Sequence, residues 1–299
     1  MPRQVLLVTH SGRDEALVVA RQLARELSQA GITVIVPPDE WDDLVADDPE
    51  LPVVATEPGA RPAGLELVVV VGGDGTILRS AEYAVSADIP LLGVNLGHVG
   101  FLAELESDDV PDLVSSVVDR TYLVEERTGL SVRVLQAGTE VWRTFALNEA
   151  SVEKASRQRM IDLLLEIEGR PLSRWGCDGV VVASPTGSTA YAWSVGGPVI
   201  WPGVAAMMVS PISAHALFAR PLVVDPSITV ALELGMDSPD AVLWCDGQRM
   251  HPVAPGARVE VTALERPIRF ARLHPALFTD RLVAKFHLPV DGWRGRGPQ

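Results

Sequence analysis

The chain has 299 residues, 47% of them hydrophobic and 21% charged, with a formal net charge of −14 and a pI near 4.8. This length gives one large or two medium domains with ample core, and the composition excludes wholesale disorder. So acidic a surface opposes non-specific nucleic-acid binding, which needs Lys and Arg to neutralise phosphates, yet it admits a small anion held by backbone N–H groups or a divalent metal.

Val5 to Val8 predict a short buried strand, and Ala16, Ala20, Leu23 and Leu27 recur at helical spacing before Gly31 ends the helix. The apolar run at the N-terminus is too short for a signal peptide, and no stretch is long enough to span a bilayer, so a soluble cytoplasmic protein is expected. Ile32 to Val36 give a second strand. From Pro37 to Gly64 the pattern lapses, and the acidic "PPDEWDDLVADDPELP" predicts a solvated loop. Leu67 to Val71 and Pro90 to Val94 are further strands around a helix from about Thr76 to Ala84. This βαβ order predicts a parallel sheet covered on both faces, with ligands at the strand C-terminal ends.

From about Tyr122 the texture changes to short β-like runs separated by Gly, Pro and polar turns. The predicted fold class is α/β plus β: an N-terminal α/β domain with a parallel sheet over 1–121, a β-rich C-terminal domain over 122–270, and a tail over 271–299 that packs back on the first domain. The cleft between the two domains is the expected site. Cys177 and Cys245, each followed by Asp-Gly, lack partners at zinc spacing and read as buried free thiols.

The segment "VGGDGTILR", Val71 to Arg79, poses the chemical question. Glycine-rich turns after a buried strand hold phosphate, but this one centres on Asp74 and has no lysine. The chain's two lysines, Lys154 and Lys285, follow no Gly-x4-Gly, which excludes a Walker site, and no Gly-x-Gly-x-x-Gly dinucleotide fingerprint follows a strand. Gly72, Gly73 and Gly75 let a phosphate approach the main chain closely, and Thr76 opens a helix whose N–H groups favour an anion. Asp74 can then take the proton of a hydroxyl as phosphate is transferred to it, with Arg79 adding a positive charge. A tight turn with a solvated aspartate is the competing reading. In "CDGVVVASPTGSTAYAWSVGGP" the prolines and the Thr-Gly-Ser-Thr run preclude a regular strand. Its amides and hydroxyls suit ribose and phosphate oxygens, and Tyr191 can stack on a base; a plain loop-rich turn fits the composition equally well. Asn148 and Glu149 could grip vicinal ribose hydroxyls, although taken alone they read as a surface pair. His98 and His215 are isolated.

These segments, in this order, resemble the ATP/polyphosphate-dependent NAD kinase family of bacteria: "LVVVVGGDGTILR", "LLGVNLGHVGFL", "ALNEASV", "CDGVVVASPTGSTAYAWSVGGPVIWP", "CDGQ" and "FTDRLVAKF". The resemblance implies phosphorylation of the 2′-hydroxyl of the adenosine ribose of NAD, with ATP or inorganic polyphosphate as donor and Mg²⁺ as the divalent cation. It implies that Asp74 is the catalytic base, beside Gly73, Gly75 and Thr76, and that Arg79 lies near the phosphates. Asn148 and Glu149 would hold the adenosine part of NAD. Asp178, Thr189, Ala190, Tyr191, Ser194 and Gln248 would make further dinucleotide contacts, as would Arg159, at a position where the family varies. No residues are assigned to a protein-borne metal site. The resemblance also implies a homo-oligomer, dimer or tetramer, with nucleotides as partners and neither nucleic acid nor membrane. Ser184 replaces the family's Thr before "PTGSTAY", and His98 replaces an Arg common in "NLGRxGFL". Two rivals stay open: a diacylglycerol- or sphingosine-type lipid kinase, which shares GGDGT but needs a membrane-facing basic element, and a non-catalytic NAD(P) sensor, which has no use for Asp74.

Overall fold

The computed structural model describes residues 3–10, 12–57, 64–96, 100–103, 110–157, 159–274 and 277–290. It divides into two compact units, one containing the chain up to Glu126 and the segment that begins at Ile268, the other Arg127–Pro267. In chain order the first unit has β1 (Gln4–Thr9), α1 (Asp14–Gln29), β2 (Thr33–Val36), α2 (Pro38–Val45), β3 (Val53–Ala55), β4 (Leu65–Val71), α3 (Asp74–Ala87), β5 (Leu91–Val94), α4 (Val110–Asp119) and β6 (Leu123–Arg127). The second has β7 (Leu130–Gln136), β8 (Thr139–Ala146), β9 (Glu149–Lys154), β10 (Ile161–Ile167), β11 (Arg170–Cys177), β12 (Gly179–Ala183), α5 (Tyr191–Ser194), β13 (Met207–Ile212), β14 (Leu222–Val224), β15 (Val230–Leu234), β16 (Ala241–Cys245), β17 (Arg249–Val253) and β18 (Arg258–Ala263). The chain then returns to the first unit with β19 (Ile268–Arg272) and α6 (Phe278–Phe286).

In the first unit one sheet runs β3-β2-β1-β4-β5-β19-β6. The pairs β2–β3, β1–β2, β1–β4, β4–β5 and β5–β19 are parallel. Central strands buried on both faces need continuous apolar sequence, and every residue from Leu67 to Val71 is buried. Helix α1 lays Ala20, Leu23 and Leu27 on Val5, Leu7, Val69 and Val71, while α3 packs against β4, β5 and β19. Strands β1, β4 and β5 therefore end together, and the GGDGT turn leaves β4 at that end.

The expected loop from Pro37 to Gly64 is corrected: it holds α2 and β3, with 58–63 outside the described residues. Pro38 stands in the first helical turn, followed by Asp39 and Glu40, which suit the positive end of a helix. Trp41, Leu44 and Val45, three and four apart, pack on the core. The acidic composition hid that spacing. Helix α3 likewise begins at Asp74, with Gly73 as its N-cap, and not at Thr76.

The second unit stacks two antiparallel sheets, β11-β10-β15-β18-β7-β8 and β14-β13-β12-β9-β16-β17. Leu163, Leu165, Val132 and Val259 of the first meet Ala150, Val152, Val180, Val182 and Leu243 of the second in one core. Both cysteines are free and buried. Because strand side chains alternate, Glu149, Ser151 and Glu153 of β9 lie on the other face of their sheet. On that outer face of the neighbouring β12, Val181 and Ala183 cluster with Ala192 of α5 and with Ile200. The molecule is thus an α/β domain with a mostly parallel sheet followed in sequence by a β-rich domain, as its sequence predicts.

Candidate active site

In the first unit the GGDGT turn is built around unspent amides. Gly72 N–H donates to Val94 O at 2.9 Å, and the Thr76 and Ile77 N–H groups both donate to Gly73 O. The N–H groups of Gly73, Asp74 and Gly75 meet no acceptor among the described residues, which is the arrangement that favours an anion. A Cβ on Gly73 or Gly75 would meet nothing within 4 Å, so the main chain there faces open space. Gly72 has the opposite constraint: at φ +157° its Cβ would lie 2.6 Å from Thr76 Oγ1. Thr76 thus fills the underside of the turn and does not cap the helix.

Asp74 is not a solvated turn residue. Its Oδ2 accepts the Phe101 N–H at 3.0 Å and its Oδ1 the Leu102 N–H at 3.1 Å. The loop comes this close because Gly100 has no Cβ; one added there would sit 2.4 Å from Asp74 Oδ1. Two fixed donors leave each oxygen a further lone pair for a hydroxyl proton. Arg79 is half-exposed and donates to Thr9 O at 2.9 Å and to Glu40 Oε1 at 2.7 Å. Glu40 lies in the acidic first turn of α2. It is 3% exposed.

In the second unit Asn148 and Glu149 are buried, not a surface pair. The turn that carries them is held from below by Asp246. This carboxylate accepts the N–H groups of Leu147 at 2.8 Å, Asn148 at 2.7 Å and Glu149 at 3.3 Å, and pairs with Arg249 at 2.7 Å. The Arg249 guanidinium in turn lies 4.1 Å over the Phe145 ring. From the side, Ser184 N–H donates to Asn148 O at 2.8 Å, and a Cβ on Gly187 would fall 2.0 Å from that same oxygen. So fixed, the turn presents buried Asn148 Oδ1 and Glu149 Oε2, and the 3-10 segment that begins at Thr186 presents its Oγ1, all with no partner among the described residues. Buried polar atoms left unpaired are costly, a cost that a bound polar ligand would remove.

Burial first, and the neighbouring Asp246 charge second, push Glu149 up to about 8, against one lowering contact from the Tyr191 N–H. Burial also raises Asp246, but its four donors favour the charged form there, so of this buried pair Asp246 keeps the charge and Glu149 the proton. A folded-state value above that of a free carboxylate means stability present at low pH and lost as pH rises through about 8. Glu149→Gln, which cannot ionise, is therefore expected to gain on the wild type in thermal midpoint between pH 5 and pH 9; a difference independent of pH would remove the assignment.

The remaining predicted residues separate by environment. Thr189 and Ala190 end the one-turn 3-10 segment Thr186–Thr189, and Tyr191 opens α5. The Tyr191 hydroxyl bonds Glu153, whose Oε1 also accepts Ser151 Oγ at 2.6 Å. These groups adjoin Glu149 along β9. Asp178 is tied to Lys154 at 2.5 Å. Ser194, Arg159 and Gln248 are exposed, the last in the β16–β17 turn. His215 N–H donates to Gly176 O, and His98 lies outside the described residues. Sequence reasoning missed Glu40, Glu153, Thr186 and Asp246. The second Cys-Asp-Gly was the available signal for Asp246, since an Asp before Gly is suited to the αL conformation it adopts, at φ +54°.

A fixed carboxylate beside free amides at parallel strand ends is the equipment of a phosphate-handling nucleotide enzyme. Comparison with known proteins gives the particular family. The ATP-NAD kinase N-terminal domain matches residues 5–122 and the ATP-NAD kinase C-terminal domain residues 147–273. The NAD kinase of Thermobifida fusca is 55% identical over 99% of this chain and 93% of its own. That of Leifsonia xyli is 53% identical over 98% and 97%. Among solved structures, yeast NADH kinase complexed with NADH superposes with a TM-score of 0.84 at 23% identity, covering 100% of this chain and 90% of that one. An NAD kinase from Archaeoglobus fulgidus in complex with ATP gives 0.69 at 24%, covering 95% and 98%. The chain belongs to the ATP-NAD kinase family.

Proposed function

We propose that this chain phosphorylates NAD to NADP, with ATP as donor. The observation that carries the reading is Asp74, clamped by two backbone N–H groups at the mouth of a turn with three unspent amides. In the reaction a bond forms between the ribose 2′-oxygen and the γ-phosphorus of ATP. The bond from that phosphorus to the ADP oxygen breaks, and the hydroxyl proton passes to Asp74. The Gly73–Gly75 amides and Arg79 take donor charge, while Asn148 and Glu149 hold the adenosine ribose. Asp178, Thr189, Ala190, Tyr191, Ser194, Arg159 and Gln248 supply further contacts.

No group of three or more His, Cys, Asp or Glu among the described residues could hold a metal. Magnesium fits this chain as a cation carried on the donor phosphates, as that ion prefers, where it neutralises their charge. An acidic protein that takes two polyanions needs that cation, so chelation is expected to abolish NADP formation. No helix of the described residues is long and apolar enough to cross a membrane. The cytoplasm, and a dimer or tetramer, complete the reading.

The test is purified chain with NAD, ATP and Mg²⁺, with NADP read by an NADP-specific dehydrogenase. NADP formed in proportion to enzyme is the expected result. NAD binding without product, with ATP or with polyphosphate, would overturn it.

A further inference from the structure

Glu40 is a buried carboxylate that the reaction as described does not use, and it is tied to the half-exposed Arg79. Glu40 Oε2 accepts the Thr9 N–H at 2.6 Å, its Oε1 accepts Arg79 at 2.7 Å, and Arg79 also donates to Thr9 O at 2.9 Å. Helices α2 and α3 are thus locked onto the last residue of β1. Thr9 pairs with Val71, the residue from which the GGDGT turn departs. Only one nitrogen of the Arg79 guanidinium is engaged, so Nε and Nη1 keep their donors among the described residues. A long, half-exposed Arg has many rotamers, and fixing it in advance reduces what a ligand must order.

We propose that Glu40 is a positioning residue for phosphoryl transfer: its buried carboxylate sets the Arg79 guanidinium at the level of the GGDGT turn, with its free donors available to the phosphates of ATP. This rests on the reading of ATP as donor. A structural strut needs no charge, and here Glu40 is poised to lose it. Burial pushes Glu40 up to about 7, opposed by the Thr9 N–H and Arg79 and supported by the neighbouring charges of Asp39 and Asp43. Tyr83, also on α3, faces the same group and is itself raised by burial. Below about pH 7 the carboxyl takes a proton, the ion pair is lost, and the hold on Arg79 weakens. The deprotonated form is the working one, so affinity for ATP should rise with pH through this range.

Steady-state kinetics of the full chain from pH 5.5 to 9, for wild type, Glu40→Gln, Arg79→Gln and the double variant, decides it. Ratios of variant to wild type at each pH cancel the titration of the nucleotide itself. Glu40→Gln is expected to raise the KM for ATP about tenfold at pH 8, the scale of one charge-assisted hydrogen bond, with the KM for NAD changed less than twofold. The penalty should shrink towards pH 5.5, where the wild type is protonated too, and the double variant should be no worse than Arg79→Gln. Equal effects on both substrates, a penalty independent of pH, or additive single effects would overturn the proposal. Should Glu40→Gln not fold, Arg79→Gln alone answers: the acid-side rise in the KM for ATP must vanish with it. A wild type that makes no NADP would instead defeat the assigned reaction.

Discussion

Asp74→Asn is expected to lower kcat about 10²–10⁴-fold, the usual cost of removing a general base, while the chain stays folded and binds NAD. The geometry separates these effects. Asparagine keeps the shape of the side chain and one acceptor, so it can still take one of the Phe101 and Leu102 N–H groups. Its NH₂ must face the other donor, a loss of roughly 0.5–1.5 kcal/mol in stability. What it cannot do is accept the ribose proton. Turnover measured beside a thermal melt therefore distinguishes base from clamp: a melt lowered by a few degrees with the rate intact would leave Asp74 as a structural tie only. Asp74→Glu gives a second reading. The longer acid must move against Gly100, where the fit is already tight enough to forbid a Cβ, so it too should be slow despite keeping a base.

Much of this was legible in the sequence because it depends on local chemistry. The Leu67–Val71 run is apolar throughout since its strand is buried on both faces, and three glycines after it can only mean an unusual main chain. The change to short β-like runs from about Tyr122 is local in the same way, although the first of those runs, β6, joins the sheet of the first unit. What stayed hidden depends on partners far away in sequence. Asn148 and Glu149 have no apolar pattern around them that announces burial; they are buried because Gly187 and Asp246, 39 and 97 or more positions on, close over and under them. Glu40 sits among Asp39, Asp42 and Asp43, and composition cannot say which one carboxylate of four turns inward to Thr9. In α2 the signal was present, as Trp41, Leu44 and Val45 at helical spacing, but the four prolines and seven acidic residues of 37–52 outweighed it.

Asp246→Ala is expected to destabilise the chain by about 3–5 kcal/mol, the cost of breaking one side of a buried ion pair, and to abolish NAD binding. Three backbone N–H groups would lose their acceptor at once, and Arg249, whose Nε is already without a partner, would lose its carboxylate. For a domain of this size that loss corresponds to a fall of roughly 6–20 °C in thermal midpoint. Asp246→Asn separates charge from support. It keeps the shape and one acceptor, so the midpoint should fall less, and it removes the negative charge that is the second cause of the raised Glu149 value. The pH-dependent gap between wild-type Glu149 and Glu149→Gln should then move below about 8 when both are compared in the Asp246→Asn background. Thermal melts of the four chains from pH 5 to pH 9 measure this directly. If the gap stays where it was, the two carboxylates do not share one buried charge, and Asp246 supports the turn by its hydrogen bonds alone.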